Sequence, residues 1–219
     1  MQKEINLMKN YPQAKRDVSG RGASKTEEDR KIARQFGKEF FDGSRDHGYG
    51  GFSYFPRFWE PVIPTFQEHW GLSAEDSVLD VGCAKGFMIY DMQRLIPGIK
   101  VCGLDISEYA IENAKAEVKQ FCQVGNATEL PFDDNSFDVV ISITTLHNLE
   151  GEDLIKGFQE IERVSKRGSF ITVDAYEDDA QKERMHAWNL TAKTVMHVDE
   201  WKKFFKDVGY TGDYHWFMP

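Results

Sequence analysis

The stretch of sequence that decides the fold is Val78-Leu79-Asp80-Val81-Gly82-Cys83-Ala84-Lys85-Gly86-Phe87. Its first residues are typical of a buried strand, and small residues follow before a helical pattern opens at Phe87. Gly82 and Gly86 permit a tight turn and the close approach of a ligand to backbone N–H groups. The same kind of loop also occurs as a plain strand-to-helix turn without a ligand, so a second signal is needed.

That second signal is an acidic residue at the end of the next strand. Val101-Cys102-Gly103-Leu104 is apolar and is followed by Asp105. Asp105 lies about 20 residues after the glycine loop, which suits a carboxylate that accepts hydrogen bonds from both hydroxyls of a ribose. It is alternatively a cap for the helix that begins near Ser107. Together with the loop, ribose binding is the favoured interpretation.

From Ser77 onward, apolar runs alternate with amphipathic segments. The predicted strands are 78–81, 100–104, 122–124, 137–143, 169–173 and one near 213–217, and the predicted helices are 87–95, 108–119, 153–164 and 198–208. This alternation predicts an α/β fold, a Rossmann-like, doubly wound and mostly parallel sheet with helices on both faces. Six strands are clear and a seventh is doubtful. Ligands of such sheets bind at the carboxyl ends of the strands.

The core is predicted to span 71–219, with two different segments before it. Residues 1–23 are polar without a regular period, which predicts a mobile arm. Residues 24–70 predict a helical and aromatic cap. Within it, Ser24-x-x-Glu27 has the pattern of a capping box, and Ile32, Phe36 and Phe40 mark one buried stripe.

An unusual aromatic and glycine-rich segment lies within the cap at 47–70. It is either a fixed plug on the edge of the sheet or a lid that closes over bound ligands and excludes water. If it is a lid, Tyr49, Tyr54 and Arg57 are the side chains expected to reach a ligand, since the Arg fork matches a carboxylate.

Charge and cysteine content exclude several classes of protein. The formal net charge is −9 and no basic stripe forms, which argues against a nucleic-acid partner. The N-terminal residues contain no long apolar run, so we expect neither a signal peptide nor a membrane span. Cys83, Cys102 and Cys122 lie beside apolar runs at spacings unlike any zinc site. They predict reduced thiols in a cytoplasmic protein without a bound metal.

Three stretches together resemble a known family. DVGCAKG at 80–86, GLDIS at 103–107 and GNATELPFDDNSFDVVISITTLHNL at 125–149 are similar to motifs I to IV of class I S-adenosylmethionine (SAM)-dependent methyltransferases. The resemblance is to the ubiquinone and menaquinone biosynthesis type and its small-molecule relatives, and it covers about residues 77–174. It implies SAM as the cofactor and S-adenosylhomocysteine (SAH) as its product. The family's sheet often closes with an antiparallel hairpin, for which only one strand is evident here.

The resemblance also assigns roles to individual residues. The loop Gly82–Gly86 would pack on the methionine part of SAM, Asp105 would hold the ribose, and Ile106 would cover the adenine. The full set of implied cofactor residues is Asp80, Gly82, Cys83, Gly86, Asp105, Ile106, Asn126, Ala127 and Thr144. Two departures from the family pattern are Ala84, in a place where glycine is common, and Asn126, where many members have Asp. A dinucleotide such as NAD is disfavoured because the loop lacks the G-x-G-x-x-G spacing.

His147 is the best candidate for a general base, because it follows the strand 137–143 at its carboxyl end, where the transferred methyl should lie. Alternatively, it stacks or hydrogen-bonds as a wall of the pocket. Asp174, Tyr176 and Glu177 leave the next strand at the same edge, and Tyr176 is expected to contact the acceptor.

The predicted function is methyl transfer to an O or N atom of a small-molecule acceptor by a monomer or homodimer. The alternatives are a protein methyltransferase and a SAM-binding regulatory module with the same fold. An aromatic lid favours the first function, because it encloses a small acceptor and leaves little room for a polypeptide.

Overall fold

A parallel sheet of seven strands forms the centre of the computed structural model, which describes residues 2–12, 18, 20, 25–49 and 52–219. The strands are β1 (Ser77–Val81), β2 (Lys100–Asp105), β3 (Cys122–Val124), β4 (Phe137–Ile143), β5 (Ser165–Tyr176), β6 (Met196–His197) and β7 (Asp213–Phe217). Their order is β3-β2-β1-β4-β5-β6, with β7 paired to β5. All strand pairs are parallel in the part of the chain described. The predicted α/β sheet is confirmed.

Helices cover both faces of this sheet. They are α1 (Glu27–Ala33), α2 (Lys38–Asp42), α3 (Pro56–Trp59), α4 (Ile63–Trp70), α5 (Phe87–Leu95), α6 (Glu108–Glu112), α7 (Gly151–Val164), α8 (Asp179–Trp188) and α9 (Val198–Val208). Successive strand residues point to opposite faces, so Val78 packs with α4 and α5, whereas Leu79 packs with α7 and α9. None of these helices is long and apolar enough to span a membrane.

The sheet does have a seventh strand, β6, but this strand has only two residues, pairs with Ala175 and Tyr176, and precedes the last helix instead of following it. β7 runs parallel to β5, so the described residues do not form the antiparallel hairpin typical of the family. The free edge of β7 is instead paired with the start of the chain. Tyr214 donates its N–H to the carbonyl of Lys3 (3.0 Å) and accepts the N–H of Ile5 (2.9 Å). This pairing covers backbone groups that an edge strand would otherwise expose.

Residues 2–12 therefore differ from the predicted mobile arm. Leu7 is 2% exposed and belongs to the core cluster of α4 and α5. The backbone N–H of Lys3 also donates to Asp213 (2.8 Å). In the sequence, Leu7 lies in a short apolar run with polar residues on both sides, so no regular hydrophobic period predicts that it is buried. Its burial depends on β7, which lies at the far end of the chain. The rest of the predicted arm, apart from Val18 and Gly20, lies outside the described residues.

Two helix boundaries in the sequence prediction need correction. The capping box of α1 is built by Thr26 and Asp29, whose side chains accept each other's backbone N–H at 3.1 and 2.7 Å. Ser24, the predicted cap, lies outside the described residues. The predicted helix 108–119 ends at Glu112, because the chain then turns back and Lys115 donates its N–H to the carbonyl of Lys85 (2.9 Å).

Candidate functional site

The loop between β1 and α5 is built on left-handed backbone. Gly82 and Gly86 have φ values of 87° and 73°, and Ala84 has 49°. A Cβ on Gly82 would lie 2.0 Å from the Thr145 hydroxyl, and one on Gly86 would lie 3.1 Å from the Cys122 sulfur. The glycines thus allow the loop to pack against neighbouring elements, in addition to making the turn. Gly86 faces this packing and does not line the cavity described below.

Asp105 is oriented by this loop. Its two carboxylate oxygens accept the backbone N–H groups of Ala84 (2.8 Å) and Ser107 (2.9 Å), and the residue is only 8% exposed. Burial raises the pKa of Asp105, and the two N–H bonds oppose that shift. The cap of α6 is Ser107, whose hydroxyl accepts the Ala110 N–H. Each oxygen of Asp105 keeps a lone pair that can accept a ribose hydroxyl.

A second carboxyl group lies on the neighbouring strand. Asp80 is buried, and no described residue donates a hydrogen bond to its side chain. Burial, with added repulsion from Cys122 and Asp105, raises the pKa of Asp80 well above its usual range. A buried carboxyl without a donor is costly unless a ligand supplies one. Asp80 and Asp105 therefore fit a ligand that carries positive charge and hydroxyl groups, as SAM does.

The adenine end of the predicted site is apolar and open. Ile106 is 54% exposed, directly after Asp105, so a flat ring can cover it at a gain in buried apolar area. Asn126 and Ala127 line the same space. The Asn126 side-chain oxygen already accepts the Thr128 N–H (3.0 Å), which leaves its amide N–H groups and one lone pair for a ligand.

A single large cavity joins most of the predicted site. Its volume is about 1780 Å³, and it is lined by the predicted residues Asp80, Gly82, Cys83, Asp105, Ile106, Asn126, Ala127, Thr144, His147, Tyr49 and Arg57. Two predicted acceptor contacts do not line it. Tyr54 donates its hydroxyl to the buried Asp91 (2.8 Å), and Tyr176 packs edge-on against His197 with 5.7 Å between ring centroids. Both tyrosines are thus occupied by packing elsewhere.

Lys85 connects the cap to the glycine loop after β1 through an ion pair, a role that the sequence did not suggest. Its ammonium lies 2.6 and 2.8 Å from the two carboxylate oxygens of Asp42 in α2. The Tyr109 hydroxyl donates to the same carboxylate (2.7 Å). Burial alone would raise the pKa of Asp42, but the bonds from Lys85 and Tyr109 outweigh it and lower the pKa.

His147 and Asp174 lie together at the ends of β4 and β5. His147 is 4% exposed, and its Nδ1 accepts the backbone N–H of Asp174 (2.9 Å). Burial lowers the pKa of His147 to about 3. The neutral ring must then carry its proton on Nε2, so neither nitrogen is free to take a proton. This environment disfavours the predicted role of His147 as general base and favours the alternative of a wall residue.

The pKa of Asp174 is shifted in the opposite direction to that of His147. Asp174 is 4% exposed, lines the cavity, and receives no hydrogen bond on its carboxyl group from the described residues. Burial raises its pKa to about 8. The Nδ1 atom of His147 lies 3.3 Å from Asp174 Oδ1.

Two further polar residues of the cavity were missed by sequence reasoning. His215 and Asn148 line it, and His215 Nδ1 and Asn148 Oδ1 have no hydrogen-bond partner among the residues described. The signal that could have identified His215 as a cavity residue is the alternation of side chains along β7. A period of two places His215 on the same face of the strand as Phe217.

Comparison with known proteins agrees with the resemblance seen in the sequence motifs. Residues 79–173 match a family model described as "Methyltransferase domain". The chain is 36% identical over 128 residues to a demethylmenaquinone methyltransferase of Lactococcus lactis, covering 55% of this chain and 50% of that protein. It is 30% identical over 152 residues to a 27-O-demethylrifamycin SV methyltransferase of Amycolatopsis mediterranei, covering 63% and 55%.

Solved structures support the fold. The YcgJ protein from Bacillus subtilis superimposes with a TM-score of 0.55 at 20% identity, over 67% of this chain and 66% of that chain. The chain spans about half the length of the curated methyltransferases it matches. The matched region contains the glycine loop, Asp105 and the strand end that carries His147. Residues 79–173 are therefore similar to the methyltransferase domain of class I SAM-dependent methyltransferases.

Proposed function

We propose that the chain is an enzyme that transfers the methyl group of SAM to an oxygen or nitrogen atom of a small molecule. The observation that carries this proposal is the single cavity shared by the cofactor residues Asp80 and Asp105 and the buried polar residues Asp174 and His147. SAM, when bound, supplies a methyl group on a positively charged sulfur. The protein's own residues bind both reactants, align them and exclude water.

The cofactor half of the cavity is formed by the first two strands. Asp105 accepts the ribose hydroxyls, since its orientation is fixed by the N–H groups of Ala84 and Ser107. The desolvated carboxyl of Asp80 faces the cationic part of SAM, and Ile106 packs on the adenine. In this proposal, the methyl group of SAM points toward the carboxyl end of β4, because Thr144 and His147 line the same cavity there.

The acceptor half is closed by aromatic side chains of the cap and of the C-terminal region. Tyr49 stacks on Trp188 at a centroid distance of 5.8 Å, and Trp188 lies 6.3 Å from Phe217. All three rings line the cavity. Such walls exclude water and strengthen electrostatic interactions inside the site. An acceptor space walled by these aromatic rings favours a small-molecule substrate over a protein substrate.

Titration calorimetry tests the proposal at its first step. We expect SAM and SAH to bind with micromolar affinity and NAD to show no measurable heat. Binding of NAD in preference to SAM would overturn the assignment. If SAM binds but is never turned over with any small acceptor, the chain is the alternative, a SAM-binding regulatory module.

A further inference from the structure

We propose that Asp174 binds the nucleophilic N–H or O–H group of the acceptor and takes its proton during methyl transfer. This inference rests on the proposed function and assigns the acceptor end of the same cavity. The acceptor class it implies is a molecule whose methylated atom carries a hydrogen, namely an amine or a hydroxyl compound.

The first argument is the unusual environment of the Asp174 carboxyl. The buried acid Asp76 has donors, since it accepts the Ser73 N–H (2.7 Å) and pairs with Arg167 (3.0 Å), whereas Asp80 of the cofactor half and Asp174 have none among the described residues. Asp174 is equally buried, but no described residue donates to its carboxyl oxygens. A buried acceptor left unsatisfied destabilises the folded state. Because Asp174 lines the cavity, a donor on the acceptor molecule can supply the missing hydrogen bond.

The second argument is position. Gly82 of the cofactor loop packs so closely on Thr145 that a Cβ would lie 2.0 Å from its hydroxyl oxygen. His147 follows in the same turn, and its ring accepts the backbone N–H of Asp174 (2.9 Å). A continuous path of contacts thus leads from the cofactor loop to Asp174. His147 is a positioning residue in this arrangement, because it fixes the backbone at the end of β5.

The third argument is the chemistry of the surroundings. Asp174 pairs with Phe217 in the ladder between β5 and β7, and Tyr49 and Trp188 line the same cavity. The titratable groups near Asp174 are His147 from the turn after β4, His215 from β7 and Tyr49 from the cap. Burial lowers the pKa of both histidines and raises the pKa of Tyr49, so all three favour their neutral forms. A pKa of about 8 suits Asp174 to proton transfer near neutral pH.

The proposed step balances without another reactant. The lone pair of the acceptor N or O forms a bond to the methyl carbon, and the carbon–sulfur bond breaks with its electron pair going to sulfur. The proton of the nucleophile moves to a carboxylate oxygen of Asp174. The products are the methylated acceptor, SAH and neutral Asp174, which then loses its proton to solvent.

The test uses sinefungin, a SAM analogue in which an amine-bearing carbon replaces the sulfonium centre and its methyl. Its ammonium lies where the transferred methyl would point, so an ionised Asp174 should bind it. At pH 8.5 we expect wild-type protein to bind sinefungin at least about tenfold more tightly than SAH. This preference should shrink as the pH falls to 6.5 and Asp174 takes up a proton.

Asp174→Asn should abolish the preference and its pH dependence while SAH affinity stays within about threefold. Glu177→Gln is the matched control, since it removes one acid from the exposed rim of the same cavity and should retain the preference. A wild-type preference that is absent, or constant between pH 6.5 and 8.5, would overturn the proposal, and this outcome does not depend on the variant folding. Failure of SAH itself to bind would instead contradict the proposed function.

Discussion

Lys85 and Asp42 form a two-point ion pair that joins the cofactor loop to the second helix of the cap, with N–O distances of 2.6 and 2.8 Å. The lysine is buried, whereas both side chains of an ion pair such as Lys31–Glu28 lie at the surface. The cap and the loop should therefore unfold together and not independently.

A double-mutant cycle with Lys85→Met and Asp42→Asn checks this coupling. Urea unfolding should give a coupling free energy of about 0.5–3 kcal/mol, because the two groups share one contact. The control is Lys31→Met with Glu28→Gln, an exposed pair at 3.7 Å, which should couple by less than about 0.5 kcal/mol. Equal coupling in the two cycles would show that the cap is not fastened through Lys85.

Asp105→Asn should weaken SAM binding by more than about tenfold, since hydrogen bonds to a charged acceptor contribute about 1.5–3 kcal/mol each. The amide oxygen can accept only one of the N–H groups of Ala84 and Ser107, which bond to different oxygens of Asp105, so the variant should also lose about 1–3 kcal/mol of stability, and its folding is checked by urea unfolding. Calorimetry measures the affinity, with Glu108→Gln as an exposed control three positions away. Unchanged SAM affinity in the Asn variant would leave Asp105 with only its role in holding the loop.

Ala84→Gly should stabilise the protein, because Ala84 has a φ of 49°, where a Cβ is strained. Relief of that strain contributes on the order of 1 kcal/mol. Ala180→Gly in the exposed first turn of α8 is the opposite control and should destabilise by about 0.5–1 kcal/mol. Urea unfolding of both variants decides the point, and a shift of the same sign in both would contradict the strain at Ala84.

The pKa values of Asp174 and His147 predict how stability depends on pH. Folded Asp174, with a pKa of about 8, holds a proton that the unfolded chain has lost, so its contribution to stability falls as the pH rises from about 4 to 8. His147, with a pKa of about 3, has the opposite effect between about pH 3 and 6.5. Only Asp174 of the pair acts between about pH 6.5 and 8.

As the pH rises from about 6.5 to 8, the free energy of unfolding of the wild type should fall by up to about 1.4 kcal/mol per pH unit because of Asp174. Asp174→Asn should remove this fall. The measurement is urea unfolding of wild type and variant at several pH values. Burial also raises the pKa of Asp80, but that contribution is common to both proteins and cancels in the difference. Parallel curves between pH 6.5 and 8 would show that Asp174 titrates normally.

The aromatic segment of the cap should become more protected when SAM binds. Tyr49 accepts the N–H groups of Leu190 and Thr191 at 2.8 and 3.3 Å, and Phe52 packs on Phe40 and Phe41. Hydrogen exchange with and without SAH should show slower exchange at 47–49 and 52–59 in the complex. Full protection before SAH is added would identify the segment as fixed scaffold and exclude a lid.

The parts of the site that the sequence predicted depend on local backbone. Gly82 directly follows β1 and Asp105 ends β2, and the apolar run followed by small or acidic residues marks each strand end in the sequence. The ion pair of Lys85 could not be predicted, because its partner Asp42 lies 43 residues away in sequence and the position of Asp42 depends on how the cap docks. The position of His215 and the pairing of Lys3 and Ile5 with Tyr214 could not be predicted for the same reason. Their roles depend on where β7 pairs, which no local pattern fixes.

The bond between Lys3 and Tyr214 also bears on how the chain reaches its folded form. During synthesis, Lys3 leaves the ribosome more than 200 residues before Tyr214. Contacts between residues so far apart in sequence require the closure of a long loop, which is entropically unfavourable and slows folding. The edge of β7 must therefore be covered in one of the final steps. Until then, the nascent protein exposes a bare strand edge on which other chains can aggregate.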